Sequence, residues 1–299
     1  MTDKKKKTHR HRMIKEKVGG LEKVTNSLYG EKFLDYLEEV IEDYDFKHAY
    51  DVTAGEPLYF KTVGFTEFAN CMLLAPLQPE LRAQQMREAY LDDVDPSLDF
   101  ISFFKKTILE KDANKYSNVV DDPTVSPGKR AKKVLVALPG DNKLKKHVSM
   151  KKLRFIEKKY KGDFLIKPHP MTNFKTIGEL MDAFGEDSVT LRGDDLYRLL
   201  IDSEILCTTG YSESAMYAVS LNKKVEPIDN YDLCMRAGFY HINKFLFHEK
   251  DPQTWVNRTF NSPKSGIICP LLDPNWKITL RKYLDYIESV RDYYKDKYL

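Results

Sequence analysis

Residues 164–170 read FLIKPHP, and residues 204–229 read EILCTTGYSESAMYAVSLNKKVEPID. In the first stretch an apolar strand runs into Lys167, Pro168, His169 and Pro170. The two prolines end the hydrogen-bonded ladder and leave the charged pair at the carboxyl end of a strand. In open α/β sheets that edge is where ligands bind. A lysine supplies fixed positive charge to a phosphate, and a histidine, whose ordinary pKa lies near neutrality, can donate a hydrogen bond to the same group or protonate a leaving oxygen. In the second stretch a buried strand enters a turn made of Thr208, Thr209, Gly210, Tyr211, Ser212, Glu213 and Ser214, which opens a helix over residues 215–221 with Ser212 or Ser214 as the natural N-cap. Open backbone N–H groups, hydroxyls and the positive end of the helix dipole together suit a phosphate or diphosphate. Taken singly, each segment has a plainer reading, a loop-capping histidine and an ordinary capped turn. Two such strand ends in succession favour a binding site.

Outward from these segments, residues 132–230 alternate short apolar runs with stretches of helical period: KKVLVALP, MKKLRFIEKKY, DFLIKPHP, FKTIGELMDAFG, SVTLRG, DLYRLLIDS, EILCTTG, SESAMYAVSLN and KKVEPIDN. That alternation predicts βαβ units and a mainly parallel, doubly wound sheet with helices on both faces. Over residues 276–298, Leu280, Tyr283, Leu284, Ile287, Val290 and Tyr294 recur near the helical period and predict a long closing helix. SNVVDDPTVSPGKR, residues 117–130, interrupts the apolar periodicity with two prolines and a glycine and reads as a linker. The front part offers a helix near 31–44, a strand around 48–53, an apolar run over 65–74, and helices over 79–91 and 98–111. The expected organisation is therefore a tail (1–17), an amino-terminal α/β domain (18–116), a linker (117–130), a doubly wound domain (131–271) and a carboxyl-terminal helix (272–299).

Composition narrows the class. With 42% hydrophobic and 12% aromatic residues among 299, the chain has ample material for a core. No run approaches the roughly 18 consecutive apolar residues of a membrane span, and the charged first residues lack a secretory h-region, so a cytoplasmic protein without membrane insertion is expected. Cys71, Cys207, Cys234 and Cys269 are widely spaced, which points to reduced, mostly buried thiols rather than a disulfide framework or a zinc site. Residues 1–17 hold eight Lys and Arg against two acids, a net of +6, leaving 40 basic against 43 acidic residues in the body, a net of −3. Lys4, Lys5, Lys6, Lys7, Arg10 and Arg12 can neutralise phosphates on a nucleic acid, or simply solubilise the terminus.

KPHP at one strand end, then about forty residues later a TTGYSES turn and a helix leading into KKVEPID, resembles the carboxyl-terminal half of GT-B glycosyltransferases. The likeness is to the set with a His-Pro motif, which includes bacterial capsule and teichoic-acid polymerases and sialyltransferases, and it covers residues 132–230. It implies a two-domain GT-B-like α/β fold, a Rossmann-like carboxyl-terminal domain beside a reduced amino-terminal one, and metal-independent transfer from a UDP- or CMP-linked sugar without a bound cofactor. By the same resemblance His169, Thr208, Thr209, Ser212 and Ser214 contact the donor phosphate, with Gly210 and Glu213 in the same turn and Lys167 as added charge. The general base of that set comes from the amino-terminal domain, where this chain is short and shows no matching motif.

For the base, YDVTAGEP offers Asp51 first and Glu56 second, acids between a strand and a glycine turn; Asp51 as a loop cap is the competing reading. Asp92, Asp93 and Asp95, and Asp194 with Asp195, superficially suggest a metal motif, but Asp194 is expected to cap the helix over 196–201. The acceptor is open. A basic arm without membrane-binding helices favours a hydroxymethylated base in double-stranded DNA, as in phage DNA-modifying transferases by likeness of task. Capsule or wall polymer glycosyl or glycerophosphate transfer, and a non-catalytic nucleotide-sugar-binding protein, are the alternatives.

Overall fold

The computed structural model describes residues 36–37, 39–40, 43–44, 48–50, 58–63, 71–76, 79–110, 132–228 and 239–298. The basic tail, Asp51, Glu56, the 117–130 linker and Cys234 lie outside the described residues. In chain order the elements begin with β1 (His48–Tyr50), β2 (Leu58–Val63), β3 (Cys71–Pro76), α1 (Pro79–Leu91) and α2 (Phe100–Glu110). They continue with β4 (Val134–Ala137), α3 (Asp141–His147), α4 (Met150–Lys159), β5 (Phe164–Lys167), α5 (Phe174–Phe184) and α6 (Leu196–Ile201). The remainder is β6 (Ile205–Thr208), α7 (Ser214–Ser220), β7 (Lys224–Pro227), α8 (Tyr240–Leu246), α9 (Pro252–Asn261), β8 (Ile267–Ile268) and α10 (Trp276–Tyr298). Among the described residues no helix is long and apolar enough to cross a membrane.

The fold is mixed α/β, divided into two compact units, Phe104–Trp255 and a second made of Met1–Phe103 with Val256–Leu299. The first, the rear unit, holds a four-stranded parallel sheet in the order β5-β4-β6-β7. Every residue of β4, β5 and β6 is buried, as expected of parallel strands covered on both faces. The register Val134↔Phe164 and Val134↔Ile205 places β4 between its two neighbours. SVTLRG, expected as a strand, contributes one parallel bridge, Val189 to Ile166, outside β5. Counting it, the spatial order by chain position is 3-2-1-4-5, the doubly wound order, whose direction switches between β4 and β6.

Right-handed crossovers then put α3, α4 and α5 on one face and α6 and α7 on the other. On the first face Leu144, Leu153, Ile156, Ile177, Leu180 and Phe184 pack with Val134, Val136, Phe164 and Ile166. Local chemistry sets the helix limits. Ser149 accepts from the Lys152 amide to start α4, Asn173 accepts from the Thr176 amide to start α5, and Gly185 at φ 86° ends α5 where a side chain would be strained. Asp195, not Asp194 as expected from the sequence, caps α6 by accepting from the Tyr197 amide.

The other unit holds a mixed sheet, β1-β2-β3-β8, with β1 parallel to β2 and the remaining pairs antiparallel. Leu280, Tyr283, Leu284 and Ile287 of α10 form its core with Leu37, Val40 and Ile268. The expected domain limits shift here. Residues 256–271 group with the front elements rather than with the doubly wound unit, because β8 pairs with β3 and the buried Arg82 guanidinium donates to the Ser265 carbonyl at 2.9 Å. The expected helices over 79–91 and 276–298 are present with those limits; the strand expected over 48–53 is described at 48–50. Asp92, one of the acids that superficially suggested a metal motif, is held by Ser262 at 2.6 Å and by Lys264 at 2.8 Å. Cys207 and Cys269 are buried free thiols.

Candidate functional site

The carboxyl ends of β4, β5 and β6 feed three loops in the rear unit, at the edge where the strand order reverses. Lys167, the last residue of β5, is 3% exposed. Its ammonium donates to the carbonyls of Pro168 at 2.7 Å and Arg192 at 2.8 Å. Burial lowers its pKa to about 8, against the opposing pull of Asp194 and Asp195. The expectation that Lys167 offers its charge to a ligand is corrected: the side chain ties the strand end to the 191–194 loop.

His169 is half-buried and carries the opposite arrangement. Its Nδ1 accepts from the Met171 amide at 3.1 Å. A neutral imidazole bonded in this way carries its proton on Nε2, so that nitrogen is a donor; the tautomer is assigned from the hydrogen bond. The ring lies beside Gly140, where an added methyl would meet Nδ1 at 3.7 Å. The loop that presents it is closed by the Thr172 amide on the His169 carbonyl at 2.8 Å. It is tethered further by Asn173, whose amide donates to Asp141 Oδ2 at 2.9 Å while its side-chain Nδ2 donates to the same oxygen.

The hydroxyl turn after β6 differs from its expected form. Thr208 Oγ1 and Ser214 Oγ share a hydrogen bond of 3.0 Å, and Ser214 Oγ and Ser212 Oγ share one of 2.7 Å. Thr208, Thr209 and Ser214 are buried, whereas Ser212 is partly exposed. Thr208 Oγ1 donates to the Ala137 carbonyl at 3.4 Å, so Ser214 donates to Thr208 and Ser212 to Ser214: the hydroxyl protons run inward instead of facing an anion. The N-cap of α7 is Glu213, in helical conformation and without a side-chain cap; neither Ser212 nor Ser214 is the cap residue. Asn243 of α8 fixes the turn from behind by donating through Nδ2 to the carbonyls of Gly210 at 2.9 Å and Ser212 at 2.7 Å. Since a trans peptide sets C=O and the following N–H in opposite directions, the amides of Tyr211 and Glu213 point away from α8.

Helix α3 joins the two loops. At its start Gly140 flanks the His169 ring and Asp141 holds Asn173. One turn on, Lys143 Nζ sits 4.5 Å from the centre of the Tyr211 ring, and His147 meets the same ring edge-on with centroids 5.7 Å apart. Lys143 and His147 stand four residues apart on one helix face, so both reach the hydroxyl turn. The loops after β4, β5 and β6 thus carry an imidazole, a turn whose Tyr211 and Glu213 amides point away from α8, and an exposed lysine in one unit.

His169 follows β5 and Thr208, Thr209, Gly210, Ser212, Glu213 and Ser214 end or follow β6, two strand ends with β4 between them, while Lys167 turns inward. Sequence reasoning missed Gly140, Asp141, Lys143, His147 and Asn243. PGDNKLKKH contained a usable signal, a Pro-Gly turn directly after a strand, then an acid at the start and Lys145, Lys146 and His147 in the last turn, as a helix dipole favours. YHINKFL gave none, because α8 is buried on too many sides to show one apolar face. Among the described residues no three His, Cys, Asp or Glu stand close enough together to hold a metal ion. Comparison with protein-family models, with curated proteins and with solved structures finds no match.

Proposed function

We propose that the chain is a glycosyltransferase of GT-B type, whose rear unit binds the nucleotide of an activated sugar at the loops after β4, β5 and β6. The observation that carries this reading is the junction made by α3: His169 and the turn from Thr208 to Ser214 lie against one seven-residue helix. In the reaction an acceptor hydroxyl oxygen attacks the anomeric carbon and the bond from that carbon to the phosphate oxygen breaks. The bonding pair leaves on the phosphate, where His169 Nε2–H and the backbone amides of the turn after β6 stabilise it. The acceptor proton passes to a carboxylate, for which Asp51 and Glu56 are the candidates in the sequence.

The favoured acceptor is a hydroxymethylated base in double-stranded DNA, on the strength of the +6 tail charge ahead of a −3 body. A screen of nucleotides for thermal stabilisation, followed by turnover of the matching sugar donors with modified DNA and with polysaccharide, tests the reading. Acceptor-dependent release of nucleotide supports a transferase and identifies its acceptor. Binding without turnover on any acceptor assigns a nucleotide-sugar-binding protein instead, and absence of both binding and turnover removes the proposal.

A further inference from the structure

We infer that α4 and the end of α3 form a docking face for a single-stranded nucleic acid, whose phosphates meet the exposed lysines and whose bases stack on Phe155. The inference stands apart from the nucleotide-sugar reading. Residues 141–161 hold nine Lys and Arg against two acids, Asp141 and Glu157, a net of +7. That leaves 31 basic against 41 acidic residues in the remainder of the body, a net of −10, so the positive charge of the body is concentrated on this one stretch. Both helices lie on one face of the parallel sheet, where Leu144 of α3 and Leu153 and Ile156 of α4 are buried in the same core. Their opposite side is open, and Lys145, Lys146, Lys151, Phe155, Lys158 and Lys161 are exposed there. Arg154 pairs with Glu157 at 2.8 Å and Lys159 with Glu226 at 2.6 Å. Among the described residues Lys145, Lys146, Lys151, Lys158 and Lys161 form no ion pair.

Folding does not account for this arrangement. Cations suit the last turn of a helix, where Lys158 and Lys159 stand. Lys151 and Lys152, by contrast, occupy the first turn of α4 against the positive end of its dipole, with no acid there to offset them. Phe155 is 58% exposed at the centre of these charges. Its neighbours on the helix surface are positions 151, 152, 158 and 159, all four of them lysine. Lys152 Nζ lies 5.7 Å from the ring centre. A phosphate backbone laid along α4 meets the lysines, and an unpaired base, which a single strand offers and a duplex does not, stacks on the phenyl. An anionic bilayer is the rival occupant. It requires a continuous apolar strip, whereas Met150, the other exposed apolar residue of α4, points about 140° around the helix from Phe155 with Lys151 between them.

Fluorescence anisotropy of the full chain with labelled oligothymidine, over a range of salt concentrations, tests the inference. Replacing the pair by Lys151→Gln and Lys158→Gln should lower the slope of log affinity against log salt by about 1.4, since each phosphate contact on a single strand contributes about 0.7. Phe155→Ala should weaken binding about 5- to 100-fold at an unaltered slope, and Phe155→Trp should retain binding, with the emission of the new indole quenched. Binding of a duplex of the same length should be insensitive to Phe155→Ala. These side chains are exposed, so the variants should keep the melting temperature of wild type, measured alongside. Oligothymidine affinity unaffected by Phe155→Ala, a salt slope unmoved by the lysine pair, or no binding overturns the inference. Binding to phosphatidylserine vesicles alone also overturns it and makes the face a membrane contact. The nucleotide-sugar reading survives each of those results.

Discussion

The ammonium of Lys167 and the imidazole of His169 stand two residues apart in different surroundings, the first buried and the second half-buried. Lys167 bonds two carbonyls, a task for which a neutral amine with two N–H groups suffices, and burial lowers its pKa to about 8 from an ordinary 10.5. Between those values the unfolded chain holds a proton that the folded chain has released, so this residue makes stability rise with pH across that window. Below about pH 8 both states are protonated and the full cost of burying the charge applies. Urea unfolding at pH 7.5 and pH 10 should show wild type gaining stability relative to Lys167→Met; parallel behaviour of the two would contradict it. His169→Ala should weaken nucleotide binding about tenfold, the loss of one hydrogen bond to a charged group, with little change in melting temperature. A large fall in melting temperature with unchanged affinity would make His169 a structural residue. The sequence announced that a charged pair ends β5, but not which member faces outward. That depends on the carbonyls of Pro168 and Arg192, and Arg192 lies 25 positions away from Lys167.

Among the elements, those with a regular apolar period were legible: β4 to β7, α4, α5 and α10 lie where the pattern placed them. Short or irregular ones were not. β8 has two residues and exists through its pairing with β3, a partner far away in the chain. α8 carries no single apolar face, and α3 was hidden behind Pro139 and Gly140. Asp194 and Asp195 are the same residue type, so the sequence alone does not distinguish them as the cap of α6, and geometry selects Asp195. Asn173 shows what an element boundary contributes to the site. Its Oδ1 accepts from Thr176 at 2.8 Å to start α5, while its amide and Nδ2 fasten the His169 loop to Asp141 on α3. Asn173→Ala should therefore cost about 1–2 kcal/mol in denaturant unfolding and also weaken nucleotide binding. Loss of stability with unaltered affinity would separate the cap from the site.

At the scale of the whole molecule, the division into two units was readable as a front and a rear part, but the return of residues 256–299 to the front was not. That return is decided by long-range pairing, which local pattern does not contain. The charge partition was readable throughout, with six of the eight tail cations within the first twelve residues. Deleting Met1 to Arg12 should lower the slope of log affinity for DNA against log salt by up to about 5, because each cation released from a phosphate contributes about 0.9. An unchanged slope would return the tail to a solubilising role.

In the proposed function, His169 and the turn after β6 hold one anionic ligand across the end of β4. A crystal structure of the complex with the nucleotide that stabilises the protein most tests this directly. The phosphate oxygens should lie within about 3.2 Å of His169 Nε2 and of the Tyr211 and Glu213 amides. A nucleotide bound elsewhere, or one that touches the turn while His169 Nε2 bonds to protein, would contradict the account.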